Sequence, residues 1–93
     1  MSRMERDCMR VLRASAPLPL SASVRASRPW ASALFIGHRL TITVEGEDDA
    51  RLDEWLMALS EAELAWPGHF VASAEVIERS ACAAAIELLV VED

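Results

Sequence analysis

Lysine and tyrosine are absent from this 93-residue chain, glycine occurs three times and cysteine twice. Each scarcity excludes a class of function. Without lysine all nine cations are arginines, and they stand against fifteen acids for a net charge of −6. Phosphate backbones need a concentrated basic face, so this balance argues against a nucleic-acid partner. Six of the nine arginines precede residue 30, a basic start on an acidic chain that reads as head-to-tail electrostatics or an exposed N-terminal arm. Cys8 and Cys82 supply neither a disulfide framework nor ligand spacing for zinc. Gly37, Gly46 and Gly68 are isolated, so no phosphate loop is present, and no serine sits in a nucleophile elbow. No apolar run approaches the roughly 20 residues of a membrane span. Arg3, Arg6, Arg10 and Arg13 break up what would be a signal sequence. These absences predict a soluble cytoplasmic protein with no membrane partner, no metal and no cofactor.

What is present is periodicity. Met4, Cys8, Val11 and Leu12 share one helical face, Ser2 and Glu5 have capping-box spacing, and Pro17 and Pro19 end the helix. From Leu18 the period becomes two: Leu18, Leu20, Ala22, Val24 and Ala26 oppose Ser21, Ser23, Arg25 and Ser27. Pro29 suits an edge strand or a bend. After the apolar run from Trp30 to Ile36, Gly37-His38 punctuates the chain and a bulge is predicted at Gly37. Leu40, Ile42 and Val44 then alternate with Thr41, Thr43 and Glu45. Acids at 48 and 49 lead into a helix over 49–65 with Leu52, Trp55, Leu56 and Leu59 as its buried stripe, ended by Trp66-Pro67-Gly68. Phe70, Ala72, Ala74 and Val76 alternate with Val71, Ser73, Glu75 and Ile77. The last strand sets Ile86, Leu88 and Val90 against Glu87, Leu89 and Val91.

The fold class is therefore α+β, a four-stranded antiparallel sheet in ββαββ order with one covering helix. Residues 18–93 form a single domain, and residues 1–17 an N-terminal helix or arm. Val71, Ile77, Leu89 and Val91 fall on the face that the alternation sends to water. Soluble monomers seldom carry a large apolar patch, so these four residues predict an interface with a protein partner, most simply a second copy. The competing expectation is that the N-terminal helix covers them.

No catalytic residue or metal ligand emerges. His38 and His69 have no third histidine to converge with, and Asp48, Asp49, Asp53 and Glu54 are accounted for by helix capping. His38 reads first as the mark of a strand entry.

"LSAS" (20–23), "IGHRLTITVEGE" (36–47), "LDEWL" (52–56) and "AEVIERS" (74–80) together resemble the 6-pyruvoyl-tetrahydropterin synthase and 6-carboxy-tetrahydropterin synthase family. That resemblance implies a two-strand, helix, two-strand unit that oligomerises edge to edge. Its three zinc histidines correspond here to Val24, Ile36 and His38, so two of the three are replaced. Glu78 matches the carboxylate that anchors the pterin ring, which makes Glu78, with His38, the implied ligand-binding pair. The catalytic cysteine and the Asp/His pair of that family have no counterpart. The sequence thus predicts a small non-catalytic domain that self-associates or binds a partner through its sheet. The alternative is a degenerate pterin-synthase-like binder or enzyme using Glu78.

Overall fold

The computed structural model describes residues 1–93. It contains α1 (Arg3–Ser15), β1 (Ser21–Ala31), β2 (Ile36–Glu45), α2 (Asp49–Ala58), a 3-10 turn (Leu59–Glu61), β3 (Ala65–Trp66), β4 (His69–Ser80) and β5 (Ala83–Glu92). The class is α+β and every strand pair is antiparallel, but the sheet has five strands, in the order β1-β2-β5-β4-β3. The additional strand comes from the segment expected to finish the second helix. Leu64 and Trp66 are both buried, and a spacing of two reaches one core only in extended backbone. Pro67 and Gly68, the latter at φ +90°, then make a two-residue turn of type II character that folds Trp66 onto His69. No helix here is long and apolar enough to cross a membrane.

β5 rather than β4 docks beside β2, and composition explains the choice. Ala84, Ala85, Ile86, Leu88, Val90 and Val91 are all buried, so the strand that is apolar on both sides takes the centre. β1 lies at an edge, where Pro29 removes no needed hydrogen bond.

Both helices pack on the same face. Cys8, Met9 and Leu12 of α1 join Leu52, Trp55 and Leu56 of α2 over Leu40, Ile42, Val44, Ile86, Leu88 and Val90. The Trp55 indole N–H donates to Ser15 Oγ at 3.1 Å, and that hydroxyl donates to the Leu12 carbonyl at 2.7 Å, tying the helices together. Ser2 caps α1 by accepting from the Glu5 N–H, and Asp48 caps α2 by accepting from the Arg51 N–H, each at 3.1 Å. α1 is thus part of the core and does not roof the second face of the sheet.

Burial pushes the Cys8 thiol up to about 12, because the thiolate would lose its hydration. A raised acid keeps its proton when folded, so its contribution is complete below the unfolded value near 8.5 and is lost as pH rises toward 12. Unfolding free energy is expected to fall by up to about 1.4 kcal/mol per pH unit in that window. Urea titrations of the parent and Cys8→Ala check this, and parallel pH profiles would refute it.

Candidate interaction surface

The helix-free face is defined by register. Five cross-strand rows run over it: Trp30, Gly37, Val91 and Phe70; Arg28, Arg39, Leu89 and Ser73; Ala26, Thr41, Glu87 and Glu75; Ser23, Thr43, Ala85 and Glu78; Ser21, Glu45, Ala83 and Ser80. Bulges decide who belongs here. Register shifts between Val24 and Ala26, between Val71 and Ser73 and between Val76 and Glu78, so strict alternation fails in β1 and β4. A bulged residue reverses the facing of everything beyond it. Ala26 therefore turns away from the core while Ala22 and Val24 pack on it. Gly37, where a bulge was predicted, pairs without interruption.

The four residues expected at an interface separate accordingly. Val71 is withdrawn from the surface, because the bulge after it places it against the core with Ala74. Ile77 sits in the second bulge and is 47% exposed. Leu89 lies half-buried on the helix-free face. Val91 lies there too but is only 2% exposed, so it belongs to the floor of the surface.

Residues not singled out in the sequence complete the apolar end. Phe35 packs edge-on against Phe70, with ring centroids 6.3 Å apart, and Trp30 lies in the same row. Leu34 and Phe35 remain 86% and 45% exposed in the β1–β2 turn. The apolar run from 30 to 36 is the available signal; unbroken alternation in the sequence places Phe70 on the opposite side.

The rest of the face is divided by charge. Arg25, Arg28 and Arg39 occupy the β1–β2 half, where Glu45 at the Ser21 end is the one acid, and Glu75, Glu78 and Glu87 occupy the β5–β4 half. Arg39 and Glu87 pair at 3.2 Å, and Arg25 and Glu78 at 3.6 Å, across the midline.

His38 and Glu78 are not brought together. His38 pairs with Val90 and Glu78 with Ala85, five positions apart along β5 or roughly 17 Å at the rise of a strand. Their strand parities also point them to opposite faces. Arg25 and Glu78 flank a depression of about 210 Å³ floored by Thr43 and Ala85. His69 stacks on Trp66 at 5.6 Å, and its Nδ1 and the Trp66 Nε1 are buried without partners. No three His, Cys, Asp or Glu side chains converge as a metal-holding group.

At the opposite end from the aromatic rings, the β4–β5 turn is tied to α2. The Cys82 N–H donates to Asp49 Oδ1 at 2.7 Å and Arg79 donates to the same oxygen at 2.9 Å. The Cys82 amide first, then the Arg79 guanidinium, hold the Asp49 carboxyl below its ordinary range. This tie is complete at neutral pH and is lost as acid protonates the group. The arrangement explains the left-handed Cys82, at φ +57°, as a turn held in place. Comparison with protein-family models, curated proteins and solved structures finds no match to this chain.

Proposed function

We propose that this protein is a non-catalytic domain that associates with a second copy of itself through the helix-free face of its sheet. What carries the reading is the placement of both helices on the other face, which leaves Phe35, Phe70 and Leu89 with no covering element from their own chain. Exposed apolar patches of this kind mark protein interfaces in soluble domains. Four strands about 4.8 Å apart and about ten residues long offer roughly 600 Å² per copy, near the lower limit for a specific interface. Leu89→Glu, with its side chain on the surface, is expected to convert a dimer to a monomer by size-exclusion light scattering. Val91→Glu would instead bury an unpaired charge and unfold the chain. A parent chain monomeric up to its solubility limit would remove the proposal.

A second reading makes Glu78 a ligand carboxylate, with Arg25 beside it. Its depression of about 210 Å³ is smaller than the roughly 300–1,000 Å³ usual for a small-molecule site, which ranks it second. A thermal upshift with pterins or purines that Glu78→Gln removes would favour it, and no shift at high concentration would dispose of it.

A further inference from the structure

Two charges on the helix-free face stand next to charges of their own sign. Arg28 is directly opposite Arg39, and Glu75 is directly opposite Glu87. Like charges in that relation destabilise a sheet. Arg39 and Glu87 pair with each other, whereas Arg28 and Glu75 make no ion pair in the chain. They lie on the outermost long strands, one row apart, at opposite margins of the face.

Resting on the self-association proposed above, we infer that the two copies stack face to face about a two-fold axis running parallel to the strands, over the β2–β5 boundary. Such an axis exchanges left and right while keeping each end of the sheet over the same end of its mate. The basic β1–β2 half of one copy then lies over the acidic β5–β4 half of the other. Arg28 comes within one row of the second copy's Glu75, Arg39 within one row of its Glu87, and Arg25 lies over its Glu78. The aromatic ends, with Trp30, Phe35 and Phe70, meet each other. The alternative two-fold, running across the strands, sets arginines over arginines and aromatic rings over the Ser21 end. Charge and apolarity therefore select the same axis. Aligned stacking of sheets about 10 Å apart is an ordinary packing mode.

The parent dimer should weaken with salt, at least about tenfold in Kd between roughly 0.01 and 1 M, as the screening length falls from about 30 to 3 Å. Arg28→Glu and Glu75→Arg should each weaken self-association at least about tenfold, and an equimolar mixture of the two variants should recover it as a heterodimer. Neither substitution breaks an ion pair within the chain, and each places an opposite charge beside Arg39 or Glu87. Thermal melts at concentrations low enough for the parent also to be monomeric should therefore be unimpaired in the variants, separating lost association from lost folding. Sedimentation velocity reads all three species. A parent dimer that tightens with salt, or that ignores both charge reversals, overturns this arrangement and leaves self-association standing. A parent that never dimerises defeats the underlying reading as well.

Discussion

Leu12→Ala is expected to lower the unfolding free energy by about 2–5 kcal/mol, the range for deleting a fully buried leucine where the surroundings collapse only partly. Leu12 is 0% exposed, and its carbonyl anchors the Ser15 hydroxyl that receives the Trp55 indole. The loss removes packing on α1 and loosens its contact with α2 together. A domain of this size has about 5–15 kcal/mol in all, so the variant should melt far below the parent or fail to fold at 37 °C. The experiment also decides whether residues 1–17 act as an arm. Were α1 an appendage, truncation of Leu12 would leave the urea midpoint unchanged.

Gly37→Ala is the second large effect, and it arises from backbone. A Cβ at position 37 would stand 2.1 Å from the Val90 carbonyl oxygen and 3.0 Å from the Val91 Cα, well inside contact distance. No flexible side-chain tip can yield there; β2 and β5 themselves must separate. Because those two strands form the centre of the sheet, relief would disturb the pairing of Gly37 with Val91 and of His38 with Val90. Overpacking costs typically about 1–3 kcal/mol and more where the obstacle is rigid, so a loss at or above the top of that range is expected by urea denaturation. Gly46→Ala is the comparison. Its nearest obstacle, at 2.8 Å, is the end of the Leu18 side chain, which can rotate, and the smaller loss expected there separates backbone collision from ordinary crowding. Equal losses at the two glycines would contradict this account.

Much of the fold is legible in residue spacing because periodicity reports local backbone geometry. The stripe Leu52, Trp55, Leu56 and Leu59 is buried as a helix predicts, and Leu40, Ile42 and Val44 as a strand predicts. Apart from the bulge expected at Gly37, which pairs regularly, the errors have one physical origin. A helix continued to 65 and an inward Phe70 follow from extending a local period beyond the point where a turn or bulge resets it. Pro67-Gly68 is a visible turn signal, but that it closes a hairpin depends on β4 being in reach. The bulges at Ala72 and Ile77 leave no mark in composition, since an extra residue in a strand looks like any other until its partner is known.

The candidate surface is less legible for the same reason. Leu89 and Val91 are visibly apolar on the wrong side of an alternation, and both do lie on the helix-free face. Phe35, Phe70 and Trp30 join them only once register aligns residues distant in the chain. The halves of opposite charge likewise exist only across strands: Arg28 and Glu75 are 47 positions apart in sequence and lie in adjacent rows of one face.

The sequence by itself determined the α+β class, the helix caps at Ser2 and Asp48, the buried stripes and the unusual greasiness of the last strand. These rest on interactions among residues a few positions apart, which spacing encodes directly. Tertiary structure alone decided that β5 sits at the centre, that α1 packs beside α2, that Val71 turns inward and that the face left uncovered carries a basic and an acidic half. Those outcomes depend on how whole elements compete to bury their apolar sides, a competition among distant segments that no local pattern records.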